Sequence, residues 1–487
     1  MILNGFFYLL PIIFPIIAAL CLSFNAFENI KLRRCFVFAT VLINSIFIGV
    51  LLLFAPANEA LAILSFTDKL SFALRVDGMS RIFGAIIAIL WPITTIYAFD
   101  YMKHEEHKRK FFAFFLLSYA ATAGVALAAN LESMYLFFEL LTLATIPLVM
   151  HKMDYEARFA GKRYLIYSMI GASFGFIALV FISIYGTSTD FVLGGVLQGV
   201  ALNENIISAL RVAFTLAFFG FGVKAALFPM FAWLPSASVA PTPVTALLHA
   251  VAVVKAGAFA CIRITYYSFG TKLLIGSFAQ YLPMLAAVIT IILGSFEAVR
   301  SNHLKRRMAW STVSNLSYIL LGVTTMCNAG LLAASQHMVF HAFIKITLFF
   351  CIGAIMEKSH ADYFDQIGGL SKKMPITAIC FTIAGIALMG LPPFPAFFSK
   401  WALGTASASV GTWGYAGIAA LVISALLTAV YILSVSVKAY EKTDFSPEHT
   451  VKESTMMNIP IIILTVFIIL LGCFSGVIQN TLTAWLF

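Results

Sequence analysis

Charge is scarce in this chain. Only 11% of its 487 residues are Asp, Glu, Lys or Arg, under half of the roughly 25% found in soluble domains, which excludes a water-soluble globular fold. Cysteine is scattered: Cys21, Cys35, Cys261, Cys327, Cys351, Cys380 and Cys473 form no CxxC pair. That spacing excludes an iron–sulfur or zinc ligand set and leaves small lipid- or core-facing side chains. Nicotinamide, flavin and quinone-pocket motifs are missing too, so the chain has no redox chemistry of its own and no cofactor is expected. The net charge of +10 does not point to nucleic acid. No nucleic-acid motif accompanies it, and the basic residues sit in short loops between apolar runs. The amino terminus has no basic region ahead of its first apolar run, which argues against a cleaved signal peptide.

What remains is apolar. Hydrophobic residues make up 61% of the chain and the mean hydropathy is +0.96. Fourteen spans of roughly 17–25 residues, the length that crosses a hydrocarbon core, are predicted at 5–24, 35–54, 79–99, 111–129, 134–150, 162–185, 207–232, 243–267, 279–299, 308–327, 331–355, 375–402, 414–439 and 459–486. The fold class is an all-α polytopic membrane protein. Loops after odd-numbered spans hold 21 of the 31 basic residues, including Arg33, Lys108 to Lys110, Lys305 to Arg307 and Lys438. By the positive-inside rule both termini face outward from a plasma membrane. The Asn58–Arg81 segment, with its Asp77-Gly78 pair, reads as an interfacial structural element outside the membrane. The Gly186–Asn205 segment reads as an outer loop.

Once the loops and helix ends are set aside, four cations remain inside spans: Lys224, Lys255, Lys345 and Lys400. A lysine at mid-membrane costs ~2.5–3.5 kcal/mol on insertion scales, so it needs a partner, a wet cavity or a function. Pro229, five residues after Lys224, is expected to break span 7. Pro392, Pro393 and Pro395 interrupt span 12 ahead of Lys400. Glu139 is the only acid well inside a span. It is either a neutral hydrogen-bonded carboxylic acid or an ionised partner for a lysine. His249 precedes Lys255 by six residues, about 120° around a helix. His337, His341 and Lys345 follow an i, i+4, i+8 stripe. Two histidines at that spacing could bind a metal, but no nearby carboxylate or cysteine completes the set. A proton relay suits imidazoles better.

The strings GFGVKAALFP, WLP, APTPV, ALLH and VKAG between Gly220 and Gly257, FFELL around Glu139, HAFIK ending at Lys345 and the PP…F.SK block ending at Lys400 resemble the antiporter-like membrane subunits of complex I, Mrp cation/proton antiporters and membrane-bound hydrogenases. The resemblance implies a Glu139–Lys224 ion pair in one half and a hydrated axis through His249, Lys255, His337, His341 and Lys345. It makes Lys345 the central lysine and places Lys400 in a second broken helix near one membrane face. It further implies two inverted five-helix repeats, spans 4–8 (111–267) and 9–13 (279–440), flanked by residues 1–110 and 459–487. Trp310, Ser317 and the Pro395-Ala396 pair depart from the family's usual residues. The expected function is proton or Na⁺ translocation within a multisubunit membrane complex. Its partners are other membrane subunits, joined in redox-driven members by a cytoplasmic electron-transfer arm. The sequence stops at span 14, which favours the Mrp D, complex I M or N, or hydrogenase types. A standalone solute carrier is the alternative. It needs several uncharged polar groups converging at mid-membrane, whereas titratable groups dominate here.

Overall fold

Lipid offers no partner for backbone N–H and C=O groups, so a chain this apolar satisfies them internally by forming helices. The computed structural model describes residues 5–24, 29–56, 59–67, 70–198, 203–442 and 451–487; Asn58, Lys69 and residues 199–202 of the predicted outer segments lie outside them. The helices run α1 (Phe6–Ser23), α2 (Ile30–Phe54), α3 (Gly78–Tyr101), α4 (Lys108–Leu127), α5 (Leu131–Val149), α6 (Tyr155–Tyr185), α7 (Glu204–Lys224), α8 (Trp233–Ser236), α9 (Thr242–Ala250), α10 (Val253–Ile262), α11 (Thr271–Leu274), α12 (Phe278–Arg300), α13 (Leu304–Thr324), α14 (Asn328–Ser359), α15 (Pro375–Met389), α16 (Pro395–Ala408), α17 (Thr412–Ala439), α18 (Thr455–Cys473) and α19 (Ser475–Leu486). Short polar residues start many of them. Asn29, Asp77, Asn130, Asp154, Asn203, Ser277 and Ser454 each accept a hydrogen bond from a first-turn backbone N–H, satisfying donors that the helix leaves free.

Among the described residues, twelve helical segments are long and apolar enough to cross a membrane. Two predicted spans are not among them. Span 10 is α13, whose 21 residues are long enough but rich in Ser, Thr and Asn. Span 12 is divided into α15 and α16, each too short to cross alone. Span 8 also departs from the sequence reading of one continuous helix. It breaks at Val251 and Ala252 between α9 and α10, where the N–H groups of both residues converge on the Leu247 carbonyl. Beyond α10 a π-helical turn, Arg263–Phe269, continues the segment.

Ahead of α3, the described residues of the Asn58–Arg81 segment are not helical. They form a hairpin, β1 (Ala60–Ser65) against β2 (Ser71–Arg75), antiparallel with a bulge between Ala62 and Leu64. Glu132 in the first turn of α5 organises it: Oε1 accepts from Ser71 N at 2.9 Å and from Thr189 Oγ1 at 2.7 Å. The Asn130 amide donates to the Ser71 carbonyl at 2.6 Å.

Burial identifies the centre of the bundle. The most apolar window of α14 is 94% buried, whereas that of the equally long α6 is 28% buried. At 1.5 Å per residue a 32-residue helix is about 48 Å long, so α14 is an axis around which the other elements pack. The glycines of α6 serve close approach, as the sequence suggests: a Cβ on Gly171 would lie 2.6 Å from the Gly220 carbonyl oxygen of α7.

Candidate functional site

Each of the four intramembrane lysines is buried, or nearly so for Lys400, and each meets a different kind of partner. Lys224 is the last residue of α7. The chain then reverses through Ala226, which has a positive φ of 55°. The unwound segment is not left unsatisfied: the Trp233 indole donates to the Val223 carbonyl at 2.7 Å, and Phe228 N donates to Thr290 Oγ1 at 2.9 Å. The break predicted from Pro229 therefore exists, beginning directly after the lysine. Gly257 of α10 allows the next helix to press against it, since a Cβ there would lie 2.5 Å from Ala225 N.

The Lys224 ammonium lies 3.3 Å from Glu139 Oε1 of α5. It also donates to the Phe138 carbonyl and sits 3.4 Å from the Phe138 ring centroid. A cation over a ring face gains from the ring quadrupole, more so when water is excluded. The two partners differ in environment: the Lys224 side chain is 1% exposed and that of Glu139 is 27% exposed. The carboxylate thus reaches the outer surface of the bundle while the ammonium stays inside.

The middle of the molecule brings together Lys255, His341 and His337. Lys255 Nζ is 2.6 Å from His341 Nδ1, and the two histidine rings lie 5.8 Å apart on α14. When Lys255 is charged its ammonium can only donate, so His341 Nδ1 is then the acceptor and a neutral ring carries its proton on Nε2. Ser399 Oγ donates to the Ala396 carbonyl at 3.2 Å. The same hydroxyl lies 2.9 Å from His337 Nδ1, a contact in which either group can be the donor. Both Nε2 atoms are buried and have no hydrogen-bond partner among the described residues. His249, at the end of α9, has neither ring nitrogen bonded to the protein and packs on Phe349 at 4.8 Å between centroids.

Lys345 lies on the same helix as the two histidines but does not bond to them. Its ammonium donates to Ser311 Oγ at 2.6 Å and to the Met308 carbonyl at 3.2 Å, both on α13. Lys400 reaches back across the second break and donates to the Leu388 and Met389 carbonyls at 2.7 and 3.0 Å. These are the carbonyls that the end of α15 leaves unpaired, where the helix dipole favours a cation. The Pro392–Pro395 interruption supplies this partner, so the departure at Pro395-Ala396 leaves the break intact. Pro395 opens α16, a position proline tolerates. A largely apolar groove of about 450 Å³ opens beside Lys400 between α16 and α17.

Among the described residues, only Lys224 of the four lysines is paired with a carboxylate, and no three His, Cys, Asp or Glu side chains form a metal-ligand set. Sequence reasoning missed Ser311, Ser399 and the carbonyl partners, because a hydroxyl or carbonyl in an apolar helix carries no signal until packing places it. It also left Asp77 and Arg263 unconnected. They form a buried two-pronged ion pair, both bonds 2.7 Å, with the guanidinium 4.7–4.9 Å from the Phe191, Phe259 and Tyr267 rings. An arginine near the end of an apolar span and followed by Tyr266-Tyr267 was the available clue.

Comparison with known proteins agrees with this architecture. Residues 128–428 match the family described as NADH:quinone oxidoreductase/Mrp antiporter, TM, and residues 64–112 match the complex I chain 5 N-terminus. The chain is 30% identical over 430 residues to NADH-quinone oxidoreductase subunit N of Desulforudis audaxviator, covering 84% of each. It is 30% identical to a Na(+)/H(+) antiporter subunit of Alkalihalophilus pseudofirmus, covering 85% of this chain but 54% of that protein. It is 33% identical to a probable K(+)/H(+) antiporter subunit of Rhizobium meliloti, spanning 32% of that longer chain. In fold it matches a chain of the archaeal membrane-bound sulfane sulfur reductase (TM-score 0.85, 24% identity, 98% of this chain and 96% of that one). It likewise matches a chain of the Mrp complex of Dietzia sp. (TM-score 0.83, 20% identity, the same coverage). These relatives are subunits of multisubunit membrane complexes, and the chain is a multi-pass membrane protein that belongs to the NADH:quinone oxidoreductase/Mrp antiporter transmembrane family.

Proposed function

We propose that this chain is an ion-translocating, antiporter-like subunit of a larger membrane complex, moving protons or Na⁺ through its own bundle. The observation that carries the reading is the set of four intramembrane lysines, each given a hydrogen-bond acceptor and only one, among the described residues, given a counter-charge. A packing or anchoring role gains nothing from such costly groups. In the proposed mechanism Glu139 and Lys224 form a pair that opens and closes. Separation removes the carboxylate that stabilises the ammonium, and the proton passes inward toward Lys255. His341, His337 and His249 carry it along the bundle, with water joining the unbonded imidazole nitrogens. Lys345 and Lys400 pass it to the second half and one surface. Ten of the fourteen crossings form two inverted five-helix repeats, 111–267 and 279–440, so that the two broken segments run in opposite senses. Membrane subunits are the partners, with a cytoplasmic electron-transfer arm in a redox-driven complex.

The ion pair is the direct test. In the complex purified through a tag on this chain and reconstituted in liposomes, Glu139→Gln and Lys224→Ala are expected to slow proton flux under an imposed potential by at least about tenfold, a positioned proton carrier being worth roughly a hundredfold or more in transfer rate. Normal flux in both assembled variants removes the pair from the mechanism.

Orientation has its own test. The proposed arrangement puts both termini outside and the loops rich in basic residues in the cytoplasm of a cell bounded by its plasma membrane. With the exposed native thiols Cys21, Cys35 and Cys473 removed, single cysteines at Lys110 and Arg300 are expected to resist an impermeant thiol reagent in intact cells and to react in inverted vesicles. Labelling of either in intact cells reverses the orientation.

A further inference from the structure

Of the four intramembrane lysines, Lys345 alone is met by a side-chain hydroxyl, and that hydroxyl begins a string. Ser311 Oγ lies 2.6 Å from Lys345 Nζ and 2.6 Å from Tyr431 OH. Tyr431 OH donates to Thr428 Oγ1 at 3.2 Å, and Thr428 Oγ1 donates to the Ser424 carbonyl at 2.7 Å. All of these side chains are buried.

A hydroxyl has one proton to donate, and a carbonyl can only accept, so the far end determines the direction of every bond. Thr428 commits its proton to the Ser424 carbonyl and must accept from Tyr431. Tyr431 has then committed its proton and must accept from Ser311. Ser311 is left with a lone pair facing Lys345. The second group on the ammonium, the Met308 carbonyl, is also an acceptor. An ammonium satisfies two acceptors with charge-assisted bonds, whereas the neutral amine forms weaker ones and its lone pair meets no donor. A string whose bonds all run one way also polarises along its length. Its outer end belongs to α17, which Arg307 of α13 clamps at the same level by donating to the Tyr431 carbonyl at 3.3 Å and to Ser434 Oγ at 2.9 Å.

We propose that Ser311, Tyr431 and Thr428 are positioning residues that set how tightly Lys345 holds its proton, so that the placement of α17 governs when a group on α14 releases it. This rests on Lys345 lying on the proton route. The other charged or titratable groups acting on Lys345 are Lys255 from α10, Lys400 from α16, His249 from α9 and His341 from its own helix. Among the described residues no carboxylate is paired with it. The two lysines oppose its charge, and the acceptors in contact with the ammonium are Ser311 Oγ, which heads the string, and the Met308 carbonyl.

The test is the pH profile of proton flux through the reconstituted complex. Tyr431→Phe keeps the ring and removes the hydroxyl. Thr428→Val is isosteric and touches neither Lys345 nor Ser311. Tyr431→Phe is expected to move the midpoint to lower pH by about half a unit or more, roughly a threefold loss of proton affinity. Thr428→Val should shift it the same way by less. Ser311→Ala should also shift it, and Ser311→Thr, which restores a hydroxyl, should return the wild-type profile. Unmoved profiles, or a shift to higher pH, overturn the proposal. If Tyr431→Phe does not assemble, the direction of the Thr428→Val shift decides. Failure of the underlying route shows separately, as undiminished flux in Lys345→Met.

Discussion

Lys345→Met is expected to abolish proton flux between the two halves, and Lys345→Arg to fail nearly as badly. Methionine keeps most of the length and removes the charge, so the variant helix inserts more easily by ~2.5–3.5 kcal/mol. Its thioether cannot accept and return a proton at any working pH. Arginine keeps the charge but holds its proton too firmly to release it. It also brings a planar fork of five donors to a pocket that presents Ser311 Oγ and the Met308 carbonyl. A purely electrostatic role predicts the opposite order, with arginine close to wild type. Flux under an imposed potential in proteoliposomes, with assembly checked separately by subunit composition, separates the two. An arginine variant that conducts normally takes Lys345 off the route.

The second large effect is expected on stability, at Asp77 and Arg263. The guanidinium is buried within three aromatic rings and held by both carboxylate oxygens, with Arg75 a further 3.4 Å contact. Removing one partner of a buried pair leaves an uncompensated charge and costs about 3–5 kcal/mol. Asp77→Asn isolates that cost, because asparagine can still accept from Ser80 N and cap α3 as Asp77 Oδ1 does at 2.9 Å. The purified complex carrying Asp77→Asn should melt well below wild type, and Asp77→Asn/Arg263→Met should recover most of the loss. Equal melting of the single variant and wild type would show the pair to be dispensable. Burial by itself raises the Asp77 carboxyl, but the Arg263 charge and hydrogen bonds outweigh it and hold the group down at about 2. A depressed carboxylate contributes its stability fully above the unfolded value, near 3.9, and loses it as pH falls through the folded one. The difference between wild type and Asp77→Asn should therefore be constant at neutral pH and shrink only below about pH 4.

What could be read in advance follows from how each feature is encoded. Span positions and intramembrane charges are written directly in hydropathy, so Lys224, Lys255, Lys345, Lys400 and Glu139 stood out at once. The breaks after Lys224 and before Lys400 carry prolines. The break between His249 and Lys255 does not: Val251 and Ala252 are unremarkable in a helix, and only the tertiary packing of α9 and α10 bends the chain there. The i, i+4, i+8 stripe placed His337, His341 and Lys345 on one face, yet α13 draws the lysine away to Ser311 while Lys255 takes His341. Periodicity shows which way a side chain starts, not which neighbour it reaches. The hairpin in the Asn58–Arg81 segment was hidden because its short strands pair with each other and with the start of α5, contacts that no local pattern announces.

The unequal partners of Lys224 and Lys400 make the two helix breaks electrically different. An ionised Glu139–Lys224 pair sums to zero and presents the membrane field with little more than a short dipole. A protonated Lys400 rests on two neutral carbonyls and presents a whole positive charge. A potential of 100 mV does about 2.3 kcal/mol of work on each charge moved across its full drop. Voltage therefore pulls on a protonated Lys400 far more than on the Glu139–Lys224 pair. The backbone oxygens at the end of α15 hold a charge in place without cancelling it, which turns a break in a helix into a point where the membrane potential can act.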